Sequence, residues 1–82
     1  MPGGKRVISK RSKIAAQIGR SIRQKREQQG LSQERLAELA ELSKNYVGNV
    51  ERGESELSVS TLIQLTKALN FSASELLRSF GF

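Results

Sequence analysis

Apolar residues recur along this chain at helical intervals, in five groups separated by polar or glycine-containing breaks. Ile14, Ile18 and Ile22 repeat every four positions with Ala15 beside them, which predicts a first helix over 14–29 that buries one stripe and ends at Gly30. Leu36, Leu39 and Ala40 fall on one face of a second helix; Val47, Val50 and the ring body of Tyr46 fall on one face of a third. Ser32 and Ser43 stand one residue ahead of these patterns, where a hydroxyl accepts from an otherwise unpaired backbone N–H. Gly53 closes the third helix, and 54–57 form a loop. Ser58 caps a fourth helix in which Val59, Leu62, Leu65, Ala68 and Leu69 keep helical spacing, with Asn70 as its left-handed end. Ser72 and Glu75 have the spacing of a capping box for a fifth helix over 73–80, carrying Leu76, Leu77 and Phe80. No strand pattern competes, so the expected fold is all-α, a compact five-helix domain.

The face of the third helix opposite its valines carries Lys44, Asn45, Gly48, Asn49 and Arg52. Amides and cations of this kind reach base edges in the major groove of DNA: lysine suits guanine acceptors and asparagine suits adenine. Lys44, Asn45 and Asn49 are therefore the candidate base readers. Arg52, at the C-terminal end of the same helix, is the candidate phosphate contact, against a solvated arginine as the alternative.

Five segments carry a family resemblance: 22–26, 30–33, Leu36-Ala37, 46–53 and the run from Leu62 to Leu77. Together they resemble the helix-turn-helix domains of the phage Cro and repressor type (XRE family) over residues 18–77. The string from Asn45 to Gly53 is similar to the small controller proteins of restriction-modification systems. The resemblance implies a lambda-repressor-like fold with its helix-turn-helix at helices 2 and 3. It implies phosphate contacts from Gln33, at the positive end of helix 2, and from Ser43 at the start of helix 3. It also implies an Arg26–Glu51 ion pair tying the first helix to the third. Tyr46 is expected to touch a base or phosphate, or else to support the fold with its ring. Glu41 departs from the family pattern, which has Gly in the turn, so it must accept a positive φ or alter the turn.

The chain's 82 residues make one domain, which buries only about 60% of its extended surface. With no Cys and no His, disulfides and the common transition-metal ligands are excluded, and no metal or cofactor is expected. No 18-residue apolar run or secretory leader is seen, which favours a cytoplasmic, nucleoid-associated protein without a membrane partner. The net charge of +6 is uneven: Lys5, Arg6, Lys10, Arg11 and Lys13 precede the first acid, leaving 9 basic against 8 acidic residues beyond. Residues 1–12 read as a basic flexible tail, either solubilising or phosphate-contacting, and 13–82 as the DNA-binding and dimerisation domain.

Three of the four aromatic residues lie in the last twelve positions. With their apolar neighbours they exceed the needs of a small core, which points to a two-fold interface built from Leu57, Phe71, Leu76, Leu77, Phe80 and Phe82, with Val59 nearby. A dimer would set two recognition helices roughly 34 Å apart on a near-palindromic operator. Catalysis is not expected, because there is no His, Cys or Asp and the Glu residues are scattered. The sequence thus reads as a homodimeric, operator-binding transcriptional regulator; the controller resemblance adds activation and repression, with RNA polymerase as a partner through Glu34 and Glu38. The alternative is a protein-interaction module on the same fold, such as an antitoxin or bridging factor.

Overall fold

Four serines set where the helices begin. In the computed structural model, which describes residues 9–79 and the side chains from residue 13 onward, α1 spans Ser9–Gln28, α2 Gln33–Ala40, α3 Lys44–Glu51, α4 Val59–Ala68 and α5 Ala73–Arg78. No strand occurs among the described residues. Ser32, Ser43, Ser58 and Ser72 hold extended backbone, and each hydroxyl oxygen accepts from the N–H three residues on. Such a cap contributes about 1 kcal/mol. At α5 the box is complete: the Glu75 carboxylate accepts from the Ser72 N–H at 2.8 Å, which holds its pKa below the usual glutamate value.

Two helix boundaries differ from the sequence pattern. α1 starts at Ser9, so the backbone of residues 9–12, which the charge pattern assigned to a tail, is already helical. It starts ahead of Ile14 because no Pro or Gly interrupts 9–13, and the isoleucine spacing marks only where burial begins. α5 ends at Arg78, and Phe80 and Phe82 lie outside the described residues, as do residues 1–8.

The core is formed by Ile22, Leu36, Val47, Val50, Leu65 and Leu69, all fully buried, together with Ile18, Ala37, Ala40, Leu62 and Leu76. α3 packs against both α1 and α2, α2 also against α4, and α4 against α5. The recognition-type helix is therefore the central element, flanked on two sides. Leu39 is not a core residue as its spacing implied: it is 44% exposed, and Ala37 takes the inward position, because the buried stripe of α2 runs 36–37–40. Val59, at the first position of α4, is likewise 75% exposed, and Ile14, expected in the buried stripe of α1, is 37% exposed because that stripe begins at Ile18.

One close approach fixes where α3 sits. A Cβ on Gly19 of α1 would lie 2.7 Å from the Glu51 carbonyl oxygen and closer still to that of Val50, so only glycine lets α1 meet the end of α3 this tightly. The turn between α2 and α3 is made by Glu41 in the left-handed region, φ 60°, with its N–H and that of Leu42 returned to carbonyls of α2. The expected tight turn is thus kept, and a non-glycine residue carries the strain of about 1–2 kcal/mol. Gln64 of α4 donates to the Ala40 carbonyl at 3.0 Å, pinning the last turn of α2 beside it.

Candidate nucleic-acid interface

The base of the site is a carboxylate. Glu51, in the last turn of α3, has a side chain only 2% exposed and accepts from Arg26 Nε at 2.7 Å and Nη2 at 3.0 Å. The remaining arm of Arg26 donates to the Leu31 carbonyl at 2.8 Å, just past the end of α1. The Glu51 hydrogen bond raises the Arg26 pKa above its ordinary value, outweighing the desolvation that lowers it. Glu51 also accepts from Gln33 Nε2 at 3.0 Å, so one carboxylate joins α1, α2 and α3. Every buried side-chain polar atom among the described residues has a partner, and the fork-to-carboxylate geometry is the strong form of the interaction.

Above this base, α2 and α3 enclose a shallow cleft of about 260 Å³, lined by Gln33, Lys44, Asn45, Gly48, Asn49 and Arg52. The side chains of Lys44 and Asn45 are exposed in the first turn of α3 and make no hydrogen bond or ion pair among the described residues. Ser43 is also exposed, with its hydroxyl oxygen accepting from the Tyr46 N–H at 3.1 Å. The three candidate base readers and two of the three candidate phosphate contacts thus line one surface, with Ser43 at its edge.

Within that surface the detail departs from the sequence reading at three side chains and one glycine. Gln33 turns an amide N–H inward to Glu51, so its amide does not offer all of its donors outward. Arg52 folds back along its own helix: Nη2 donates to the Asn49 Oδ1, and Nε to Glu54 at 3.1 Å. Tyr46 is half-buried against the core and its hydroxyl donates to the Glu56 carbonyl at 3.3 Å. It therefore braces the loop after α3 and does not line the cleft. Gly48, assigned to the exposed face, is buried instead, as the floor of the cleft: a Cβ there would lie 3.2 Å from Arg52 Nη1 and 3.7 Å from Gln33 Oε1. The spacing of Gly48 and Arg52, one helical turn apart, was the available signal for this cover.

The proposed interface residues divide. Leu76 is 3% exposed and belongs to the core of the single chain, because the inward face of a six-residue helix has room for one large side chain; it has no surface to give a partner. Leu57 and Phe71 are half-buried and packed on the core, Phe71 beneath the Lys25 ammonium at 5.1 Å, and Leu77 is half-buried. The exposed apolar residues on α4 are Val59 and Ile63, one turn apart, and Ile63 was missed because its neighbours Leu62 and Leu65 satisfied the pattern without it. Among the described residues no group of three or more acidic, His or Cys side chains is placed to hold a metal, and no helix is long and apolar enough to cross a membrane.

Two short helices at a tight turn, the second displaying amides and cations, have clear counterparts. The sequence matches the family model described as Helix-turn-helix (HTH_3) over residues 22–76. The chain belongs to the helix-turn-helix family. Among the relatives of this helix-turn-helix chain is the control protein C.SmaI of Serratia marcescens, 45% identical over 64 residues that cover 78% of this chain and 76% of that protein. Among solved structures, the restriction-modification controller protein C.AhdI from Aeromonas hydrophila superposes with a TM-score of 0.73 at 40% identity, over 76% of this chain and 94% of that one. The clp gene regulator ClgR from Corynebacterium glutamicum superposes with a TM-score of 0.77 at 28% identity, over 82% of this chain and 71% of that one.

Proposed function

We propose that this helix-turn-helix protein is a sequence-specific DNA-binding transcription regulator that acts as a homodimer on a near-palindromic operator, with the role of a restriction-modification controller. The observation that carries this reading is the cleft surface of α3: Lys44 and Asn45 exposed and unpaired, Asn49 beside them, on a helix held from behind by the Arg26–Glu51 pair. A rigid helix that presents donors at its N-terminal half enters a major groove, and the likeness to C.SmaI and C.AhdI supports the controller role.

Lys44 reads guanine acceptors, Asn45 and Asn49 address neighbouring base edges, and the unpaired backbone N–H groups at the start of α2 and of α3 take phosphates beside Ser43 and Gln33. Dimerisation uses the outer face of α4, where Val59 and Ile63 are exposed, extended by Leu57 and Leu77. No catalytic step belongs to this role, and contact with RNA polymerase through the exposed Glu34 and Glu38 would supply activation. The test is a titration of a labelled duplex selected by the full chain from a randomised library, against a scrambled duplex of equal composition. Two protomers per specific duplex support the reading; equal binding to both duplexes contradicts it.

A further inference from the structure

The amide of Asn49 is not free to choose its partner. A guanidinium carries only donors, so the group that Arg52 Nη2 meets must be the amide oxygen; the opposite amide orientation would set N–H against N–H. Arg52 is itself held by Glu54, whose carboxylate accepts from Nε at 3.1 Å. Its guanidinium also lies over Gly48, where absence of a Cβ leaves room for it. Glu54, Arg52 and Asn49 thus form a chain of charge-assisted hydrogen bonds along one edge of the cleft, which turns the Asn49 Nδ2 away from Arg52.

Adenine recognition by asparagine needs both ends of the amide, the oxygen to accept from N6 and the nitrogen to donate to N7. The Asn49 oxygen keeps a second lone pair, but the Arg52 cation that donates to it repels the N6–H donors of adenine while favouring acceptors. We infer that Arg52 is a positioning residue that draws the Asn49 oxygen to its own cation and turns the nitrogen to the base, so that Asn49 favours an acceptor-only base edge, guanine with its O6 and N7, over adenine. The inference rests on the regulator reading above and refines it: the expectation that Asn49 suits adenine is replaced, and Arg52 sets sequence preference where a phosphate contact would only add affinity. Water leaves the groove on binding, and the lowered dielectric strengthens the Arg52–Asn49 bond at the moment the base is read.

The experiment is selection of duplexes from a randomised library by the full chain and by Asn49→Ala, Arg52→Met and Glu54→Gln, each checked for unchanged helicity and melting. The Arg52 and Glu54 side chains are more than half exposed, so their replacement leaves the core intact. Asn49→Ala should flatten one position of the selected sequence, which identifies the base that Asn49 reads. In the native chain that position should favour guanine over adenine by about tenfold, the size of one well-formed base contact. Arg52→Met should move the same position towards adenine while the other positions hold, and Glu54→Gln should move it part of the way. Adenine at that position in the native chain overturns the inference, as does an Arg52→Met variant that binds every sequence more weakly without changing the preference, or an Asn49→Ala variant that flattens nothing. Failure of the native chain to enrich any sequence would overturn the regulator reading as well, and is distinguished from these by the absence of a selected sequence.

Discussion

Arg26 of α1 and Glu51 of α3 meet through two hydrogen bonds, at 2.7 and 3.0 Å, with the Glu51 side chain 2% and the Arg26 side chain 12% exposed. The pair lies behind the helix proposed to enter DNA, so the same contact that closes the core also sets how far α3 projects. Breaking it from one side leaves a buried charge with only the Gln33 amide for company.

Arg26→Ala should therefore cost about 3–5 kcal/mol of stability, measured by urea unfolding, whereas an exposed pair would cost about 1 kcal/mol or less. Replacing both partners, Arg26→Met with Glu51→Leu, should recover most of that loss, because neither charge is then stranded. A single variant that melts with the native chain would show that the pair does not carry the packing of α1 on α3.

Glu41 holds φ 60° at the turn where glycine is comfortable. Glu41→Gly should raise stability by about 1 kcal/mol, a gain of roughly 4–8 °C in melting temperature for a domain of this size, with the position of α3 unchanged. A lower melting temperature would mean that the Glu41 side chain contributes more than its backbone costs.

Gly48 separates stability from recognition. Gly48→Ala should gain up to about 1 kcal/mol of helix propensity, because the crowded neighbour at 3.2 Å is the movable end of Arg52. The displaced arginine then releases Asn49, so binding to the preferred duplex should weaken while the melting temperature holds or rises. Loss of both together would place Gly48 in packing alone.

Gly19 has no such latitude. Its Cβ would meet backbone carbonyls at the end of α3, which yield only if α1 moves away. Gly19→Ala should lose about 1–3 kcal/mol despite its better helix propensity, and a more stable variant would contradict the close approach of α1 to α3.

The starts of α2 to α5 were legible in the sequence because each rests on a local hydrogen bond: Ser32, Ser43, Ser58 and Ser72 need only a donor three residues along. The outward face of α3 was legible from the spacing of Val47 and Val50, and the turn at Glu41 through the family pattern. What local pattern could not give was anything decided by a neighbour across space. Leu39 and Ala37 differ by two positions of the same amphipathic helix, and only the placement of α3 and α4 chooses between them. Leu76 reads as surplus apolar surface until α5 folds onto the core. Gly19 shows no sequence signal in a helix of polar and isoleucine residues, since its reason lies in the carbonyls of Val50 and Glu51. In the cleft, residue types announced DNA chemistry, yet the direction of each amide depends on which charge it meets: Gln33 on Glu51, Asn49 on Arg52.

The most direct test of the regulator reading is fluorescence-anisotropy titration of the intact chain with its selected duplex and with a scrambled one, repeated over a series of salt concentrations. Specific readout by α3 should hold the selected duplex about 1,000-fold or more tighter at physiological salt, with both affinities falling linearly on a log–log plot as salt displaces phosphate contacts. Equal affinity for the two duplexes, with the same steep salt slope, would show a purely electrostatic binder and contradict recognition through Lys44, Asn45 and Asn49.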